Sequence, residues 1–519
     1  MPSILALMLA LAAGDPLTPP PIVSGRVTMP ADAGDQPVLV VVRDSARGIT
    51  RSVTTRQGRF AIPVDRAGAT LVAMTLDGRW AAEAAAVGSP ALTLVRASEP
   101  RRRLSSAAWL ARLPDGETRR KFVLDCTGCH QFDDSRALLN GSPRPASGWT
   151  EAVTRMLGYA GPRSNFPVIS SWAEDPSVPE WLAAGVARPA APPTPAPAVL
   201  PATVTEFDTP VASDLPHDVA IDSAGGVLVT GMMSHAMYRL DPESARFERI
   251  EIPVPRANPR AVELDRAGAW WVLLGAPGKV GRYDPTRKDW RFFDIGMYPH
   301  SIAVGGDGKV WFNGHFTRDP EQIGVIDPAS GKVSIHDLTP HPTMATIPGG
   351  PIPYEQRIGP DGRVWVSELQ GNRLVEFDPR TGRSRAHVLP TSASGPRRFD
   401  IDDRGVLWIP AYSANALVRF DPATGAFAEY PLPVAGATPY IARFDRRSGA
   451  VWIGTSAADA AFRFDPRTRT FAMVPLPSQG SLTRHLVVDP RNGDVWLAYG
   501  ASPARIPSRI ARIQIGGGS

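Results

Sequence analysis

The sequence predicts a mainly β, multidomain protein that combines a small β-sandwich, a small all-α domain and a seven-bladed β-propeller. Three observations support this prediction. The chain has 519 residues, too many for a single hydrophobic core. A proline-rich linker at residues 188–202 marks a boundary between domains. Beyond it, similar units recur about every 40–45 residues, which is the period of a propeller blade.

The composition is that of a globular protein. Hydrophobic residues make up 43% of the chain and charged residues 21%, which argues against a disordered chain. The net charge of +5 comes from arginines spread along the whole length, without a Lys/Arg block. We therefore expect no nucleic-acid partner and only a weak preference for acidic partners.

Residues 1–13 have features of a signal peptide. Their apolar run is too short to cross a bilayer, and it ends in Ala10-Leu11-Ala12, the small-x-small pattern of a cleavage site. The usual preceding basic residues are missing, and a buried N-terminal segment is the alternative. No other run is apolar and long enough to span a membrane. The sequence therefore predicts a soluble protein exported to the periplasm.

Residues 21–98 predict the β-sandwich. Short β-rich runs alternate with turns, beginning with Ile22–Val27 and Pro37–Val42. The pattern over Thr55–Pro63 resembles carboxypeptidase-regulatory-like, transthyretin-like sandwiches. That resemblance implies a structural or docking module, and no residues here have the spacing of a catalytic or metal site.

The two cysteines carry the most specific chemical signal. They stand three apart in Cys126-Thr127-Gly128-Cys129-His130, and the chain has no others. Zinc usually requires a second ligand cluster, and a redox-active dithiol uses the same spacing without requiring the histidine. Covalent haem attachment does require it, because the next imidazole binds the iron of the tethered porphyrin. We therefore predict one haem c on Cys126 and Cys129, with His130 as an axial ligand.

The surrounding residues predict a small helical domain at 100–187. One helix is expected over residues 119–129, and helical spacing recurs around Trp149. With Trp149 and Met156 in a W-x-x-x-V-x-x-M helix, the segment resembles small c-type cytochromes. Met156 is the only methionine between His130 and the propeller, so it is the candidate second axial ligand; an ordinary core methionine is the alternative. A His/Met pair suits electron transfer.

Residues 203–515 predict the seven-bladed propeller. Each unit has an opening strand, a G-x-V/L-W strand, a strand that ends in Asp-Pro, and a closing strand. The last unit lacks a closing strand, and residues 204–208 are expected to supply it and close the ring. The opening positions are expected to face the central channel, and they hold His217, Arg260, His300, Tyr354, Arg397, Tyr440 and His485.

The repeat pattern, clearest in Ile358–Glu368, resembles the propellers of streptogramin (virginiamycin B) lyases. The resemblance implies a catalytic site with two histidines, one on each of two adjacent blades, just after the opening proline. Together with two glutamates and a magnesium ion, these histidines would catalyse an elimination reaction that opens an ester. His217 and His485 match those places on the first and last blades, and His300 matches two blades further on.

The glutamates of that family are not reproduced around these histidines. The corresponding places near His217 and His300 hold Leu215, Gly231, Tyr298 and Gly314, and only the fourth blade carries Glu368. Magnesium would lack its pair of hard anionic ligands, so we expect no lyase activity. The channel ring can instead hold an anionic substrate or another cofactor; a water-filled channel is the alternative.

The sequence thus predicts a periplasmic monohaem c-type cytochrome, with electron transfer coupled to a substrate or redox partner protein on the propeller. The coupling is inferred from the joined domains alone, because a fold does not fix a function. The alternatives are a magnesium-dependent C–O lyase and a non-enzymatic binding module.

Overall fold

The computed structural model describes residues 20–64, 69–86, 88–99, 104–189, 197–315, 321–344, 350–500 and 508–516. Within these ranges the chain is mainly β, as predicted. The predicted signal peptide at 1–13 lies outside the described residues, as does part of the proline-rich linker. No helix in these ranges combines the length and the apolar character needed to cross a bilayer.

The first part of the chain forms two packed sheets. Its strands are β1 (Ile22–Thr28), β2 (Val38–Asp44), β3 (Ile49–Thr55), β4 (Arg59–Pro63), β5 (Thr70–Thr75), β6 (Trp80–Ala85), β7 (Ala91–Thr93) and β8 (Val95–Arg96). One sheet has the order β4-β1-β7, and the other contains β3-β2-β5-β6-β8. Alternate side chains of each strand point to one face, so the facing sides share a core that includes Val23, Val40 and Leu71. A 3₁₀ turn covers Ala31–Ala33.

A small helical region follows. Its helices are α1 (Ser106–Leu110), α2 (Glu117–Cys126), α3 (Asp134–Ala137), α4 (Ala146–Ala160) and α5 (Val178–Val186), with short strands β9 (Leu138–Leu139) and β10 (Ser142–Pro143) and a 3₁₀ turn at Ser171–Glu174. Phe132 packs between Phe122 and Trp149, with ring centroids 5.2 and 5.8 Å apart. The helix expected around Trp149 is present as α4.

The described residues from 202 to 515 form seven four-stranded blades. Strand β11 (Ala202–Asp208) precedes the first blade and belongs to the last. Blades 1 to 3 contain β12 (Pro216–Ile221), β13 (Val227–Gly231), β14 (Ala236–Asp241), β15 (Arg246–Glu251); β16 (Pro259–Leu264), β17 (Trp270–Leu274), β18 (Lys279–Asp284), β19 (Asp289–Asp294); β20 (Pro299–Val304), β21 (Val310–Gly314), β22 (Gln322–Ile326), β23 (Val333–Asp337). Blades 4 to 6 contain β24 (Pro353–Ile358), β25 (Val364–Glu368), β26 (Arg373–Asp378), β27 (Arg383–Val388); β28 (Asp400–Ile401), β29 (Leu407–Ala411), β30 (Ala416–Asp421), β31 (Ala426–Pro431); β32 (Pro439–Asp445), β33 (Ala450–Thr455), β34 (Ala460–Asp465), β35 (Thr470–Pro475). Blade 7 contains β36 (Thr483–Val488), β37 (Val495–Tyr499), β38 (Arg509–Ile515) and β11.

The ring closes through strand β11. It pairs antiparallel with β38, from Ala202 opposite Ile515 to Asp208 opposite Arg509, which is the pairing expected for residues 204–208. The inner strand β12 of the first blade lies beside β36 of the seventh. The last blade therefore contains strands from both ends of the propeller sequence. Within the described residues, this pairing closes the ring and leaves no unpaired strand edge between the first and the last blade.

The sandwich joins the propeller edge to edge. Strand β3 pairs antiparallel with the free side of β11, from Val53 opposite Thr203 to Ile49 opposite Phe207. Blade 7 and one sandwich sheet thus form a single nine-stranded sheet, with the order β36-β37-β38-β11-β3-β2-β5-β6-β8. An ion pair between Arg43 and the Asp208 carboxylate spans the junction.

The helical region lies over one end of the propeller channel. A continuous cluster of buried apolar residues joins Leu110 and Leu124 of the helices to Tyr412 and Tyr440 of the propeller. The backbone N–H of Ala107 also donates to a propeller carbonyl at 2.9 Å. The C-x-x-C-H sequence at the end of α2 is thereby brought to the channel mouth.

Candidate functional site

The C-x-x-C-H loop begins where helix α2 ends, at Cys126. Thr127 is the residue at which the helical backbone ends, and its hydroxyl donates to the carbonyl of Val123 at 2.8 Å. The helix expected to continue through Cys129 stops three residues earlier. Cys129 and His130 lie in the loop beyond it.

The propeller holds this loop by its backbone. The Tyr412 hydroxyl, from blade 5, donates to the carbonyl of Thr127 at 2.9 Å. Arg484, from blade 7, donates to the carbonyl of Cys129 at 3.0 Å. Because the two bonds come from blades 5 and 7, they hold the loop at two points over the mouth of the channel.

Arg397 lies directly beneath the loop. Its guanidinium carbon is 3.9 Å from the ring centroid of Tyr412, 4.5 Å from that of Tyr440 and 5.0 Å from that of Tyr354. A Cβ atom at Gly128 would come within 2.8 Å of the Arg397 Nη2 atom. Glycine therefore permits the close approach between the loop and this buried cation.

A cavity of about 920 Å³ lies between the helical region and the propeller. Its wall includes every residue predicted to attach haem or bind its iron: Cys126, Cys129, His130 and Met156. The two cysteines are not joined by a disulfide. Apolar side chains form much of the remaining wall, among them Phe122, Phe132, Trp149, Val153, Leu157 and Ile169.

The two predicted iron ligands have distinct surroundings. Burial, followed by the positive charge of Arg136, lowers the pKa of His130 to about 4. The His130 Nδ1 atom lies 3.2 Å from the carbonyl oxygen of Gln131, which can only accept, so Nδ1 carries the proton and Nε2 keeps its lone pair. Met156, on α4, packs against Ile169 and Ala173. An imidazole and a thioether thus face one cavity.

The channel ring differs from the expected one at a single position. The first residue of a complete inner strand lies opposite the last residue of the next strand, as Pro216 lies opposite Gly231 in blade 1 and Thr483 opposite Tyr499 in blade 7. The residue that faces the channel comes directly after this first residue. In blade 7 it is therefore Arg484, and His485 is the residue after it. The sequence assignment was shifted because Thr483 stands where other blades have proline. The ring is His217, Arg260, His300, Tyr354, Arg397, Tyr440 and Arg484.

Three histidines at the channel are oriented by the neighbouring blade. The Nδ1 atoms of His217, His300 and His315 lie 2.7, 2.6 and 2.8 Å from backbone carbonyls. Burial lowers the pKa of His217 and of His315 to about 3, and that of His300 well below its ordinary value, so all three are neutral near pH 7. His315 was not expected; its place immediately after β21 was the available sequence signal.

A layer of paired charges lies below the ring. Asp218 pairs with Arg398 at 2.9 Å, and Glu355 pairs with Arg443 at 3.1 Å. The His485 Nε2 atom lies 3.6 Å from Asp218, so this histidine belongs to the charged layer. Burial opposes ionisation of Asp218, but Arg398 and then His485 hold its pKa well below the ordinary value.

The carboxylates near the channel histidines are already engaged or absent. Leu215 and Gly231 carry none, and the nearby Asp214 carboxylate accepts from backbone N–H groups, including that of Leu215 at 2.8 Å. Glu368 pairs with Arg373 at 2.9 Å. In the part of the chain that the structure describes, no group of three or more His, Cys, Asp and Glu residues is arranged to hold a metal ion.

No protein family and no curated protein matches the sequence, but solved structures match the propeller. Virginiamycin B lyase from Staphylococcus aureus is 19% identical, with 60% of this chain and 99% of that chain covered at a TM-score of 0.53. A streptogramin B lyase is 21% identical, with coverages of 60% and 97% and the same TM-score, 0.53. A catalytically inactive virginiamycin B lyase from Staphylococcus aureus with quinupristin is 19% identical, with 60% of this chain and 99% of that chain covered at a TM-score of 0.53. At these identities the likeness establishes the fold alone: about 60% of this chain is a virginiamycin B lyase-like β-propeller.

Proposed function

We propose that this chain is an exported c-type cytochrome, with haem attached to Cys126 and Cys129 and its iron bound by His130 and Met156. Its role would be electron transfer to or from a substrate or partner protein at the propeller. The observation that supports this proposal most strongly is that these four residues, selected from the sequence alone, all line one cavity of about 920 Å³.

The chemistry of the cavity wall fits haem. The volume lies within the range of cofactor pockets, roughly 300–1,000 Å³. Aromatic and aliphatic side chains such as Phe122, Trp149 and Leu157 offer an apolar surface for a porphyrin ring. The polar groups include Arg144 and Arg155, whose charges complement porphyrin carboxylates. An apolar slot with cationic groups is what an amphiphilic dianionic ring requires.

Bound haem would supply one-electron transfer, with a potential raised by a His/Met ligand pair relative to two histidines. The chain's own residues would hold it in place. The carbonyl of Gln131 fixes the tautomer of His130 so that Nε2 is free to bind a metal. Tyr412 and Arg484 hold the loop backbone against the channel. These bonds would limit movement of the loop when the attached haem gained or lost an electron.

The contact between the loop and the channel supports a coupled function. Arg397 and Arg484 are ring residues that also contact the loop. A ligand or partner at the ring would therefore change the electrostatic field at the loop to which the haem would be attached. We propose that the propeller places an electron donor or acceptor at this point, and that the protein acts in the periplasm.

The magnesium-dependent lyase has less support. The family's glutamate positions around His217 hold Leu215 and Gly231, and Glu368 is buried against Arg373. The propeller fold is shared with the lyases, but a shared fold hosts different functions.

The test is the visible spectrum of protein made in cells that mature c-type cytochromes. We expect a covalent haem band that is absent in a Cys126→Ala, Cys129→Ala double variant. Met156→Ala should change the spectrum and lower the midpoint potential, because the thioether is lost. Met74→Ala, at a half-buried methionine on β5 of the sandwich and outside the cavity wall, is the matched control and should change neither. A colourless wild-type protein would refute the haem proposal, and an unchanged Met156→Ala variant would refute the second ligand.

A further inference from the structure

Arg260 is a buried cation on the propeller side of the cavity. Arg260 lies on β16 of blade 2 and forms part of the cavity wall, and only 6% of its surface is exposed. Its Nε and Nη1 atoms have no hydrogen-bond partner among the described residues. Two of its three guanidinium nitrogens therefore lack an acceptor in the described part of the chain, although the residue lies at the cavity wall.

Other channel arginines are compensated in ways that Arg260 is not. Arg398 pairs with Asp218 at 2.9 Å, and Arg397 donates to the Tyr354 hydroxyl at 2.7 Å and lies among three tyrosine rings. Arg260 has one aromatic contact, with its guanidinium carbon 4.9 Å from the ring centroid of Tyr298. One cation–π contact offsets only a part of the cost of burying a charge.

The charges near Arg260 add to its positive field. The pKa of Arg260 is lowered to about 10, chiefly by burial and in part by the positive charges of Arg484 and Arg398. The groups that favour its charge are the phenols of Tyr354 and Tyr440, not a carboxylate. Arg260 still carries its charge at pH 7, and a buried charge without a counter-charge is unfavourable. Such a site favours an anion.

The surrounding wall indicates what kind of anion fits. Leu215, Met232 and Met233 lie on the same wall of the cavity, with Asn258 and His217 as polar neighbours. The His217 Nδ1 atom lies 2.7 Å from the Arg260 carbonyl and 2.8 Å from the Asp218 carboxylate. Burial lowers the pKa of this imidazole to about 3, so it is neutral at pH 7 and adds no charge to the lobe. The lobe therefore combines one strong cation with an apolar, methionine-rich surface.

We propose that Arg260 binds the carboxylate of an amphiphilic anion whose apolar body lies against Leu215, Met232 and Met233. Two sources share this chemistry: a propionate of the haem itself, or the carboxylate of a small apolar substrate. The inference deepens the proposed function, because the same cavity is involved, but the anion site does not require haem.

The first arm of the test uses a free carboxylate. Benzoate is titrated into the purified full-length protein by calorimetry, with benzamide as the neutral probe. If the source is a substrate, wild type binds benzoate and not benzamide, and Arg260→Gln weakens binding at least tenfold. Arg260→Lys, which keeps the charge and loses the planar fork, should retain part of the affinity. Arg282→Gln, on the same blade and outside the cavity wall, should bind like wild type.

The second arm detects a propionate. If a haem propionate fills the site, wild type does not bind benzoate. The midpoint potential of Arg260→Gln then depends on pH differently from that of wild type, because a propionate that has lost its arginine partner takes up a proton at higher pH. Arg282→Gln should follow the wild-type curve. The proposal is overturned if wild type fails to bind benzoate and Arg260→Gln keeps the wild-type potential at every pH. A chain without haem would refute the proposed function alone, and benzoate binding would then decide this inference.

Discussion

Arg397 is the residue that connects the proposed haem loop to the propeller most closely. It is surrounded by three tyrosine rings and approached by Gly128. Its guanidinium group cannot move without giving up contacts worth about 0.5–2 kcal/mol. The conformation of the loop and the packing of the channel are therefore linked through a single glycine.

Gly128→Ala should destabilise the folded protein. The added Cβ would lie 2.8 Å from the Arg397 Nη2 atom, so either the loop or the arginine must shift, at about 1–2 kcal/mol in the free energy of unfolding. Gly158→Ala is the control: it lies inside α4 with open space around its Cβ and should stabilise by about 0.5–1 kcal/mol. Equal changes in urea unfolding would contradict this account of the loop.

Stability should fall as the pH is lowered below about 6.5. The folded-state pKa of His217 is lowered from 6.5 to about 3 by burial, so the unfolded chain binds the extra proton between those values. Each such histidine contributes a slope of up to about 1.4 kcal/mol per pH unit. Urea unfolding between pH 7 and pH 5 should show a smaller slope for His217→Gln than for wild type. Identical slopes would indicate that His217 is protonated in the folded state.

Sequence motifs identified the cavity residues but not all of the channel. Cys126, Cys129 and His130 have a spacing that only a few chemistries require, and the structure brings them together with Met156. Arg484 was missed because Thr483 stands where the other blades have the proline that marks the residue before the ring position. Tyr412 could not be identified, because its role depends on a loop from a different part of the chain.

At the scale of elements, β11 is the strand on which the architecture depends. It pairs with β38 on one side and β3 on the other. Its place in the last blade was predictable, because that blade lacks a strand in the sequence. Its pairing with β3 was not, because an edge strand carries no sequence mark that identifies its partner.

Thr205→Pro should unfold or strongly destabilise the protein. Thr205 lies opposite Arg512 on one side and Arg51 on the other. Proline removes a ladder donor in this central strand and leaves a buried carbonyl without its partner, at a cost of about 1–3 kcal/mol. Thr205→Ala is the matched control, since it keeps the backbone N–H. Thermal melting followed by circular dichroism should separate the two variants. Similar melting temperatures would mean that the ring does not depend on this strand.

At the scale of the whole molecule, the sandwich covers an edge of the propeller. Strand β11 is buried over nearly all of its length, whereas the outer strand β15 of blade 1 is mostly exposed. The sequence resemblance predicted a structural or docking module. In the structure, one sheet of the sandwich continues blade 7 as part of a nine-stranded sheet. The sandwich therefore protects the strand that closes the ring.

Deletion of residues 1–103 should make the remaining chain self-associate. The free side of β11 would be exposed as an unpaired strand, which is a template for pairing between molecules. Analytical ultracentrifugation should show dimers or larger species. A Thr203→Lys substitution in the shortened chain should reduce association, because an edge lysine opposes strand pairing. A monomeric shortened chain without the lysine would contradict the protective role.

The mass of the intact chain, measured after unfolding in acid, tests the central proposal most directly. Thioether bonds survive unfolding, so protein from cells that mature c-type cytochromes should be heavier than its polypeptide by one haem group. The added mass should be absent when Cys126 and Cys129 are both replaced by alanine. If the wild-type mass equals that of the polypeptide and both thiols react with an alkylating reagent, then no haem is attached and the cytochrome proposal is wrong.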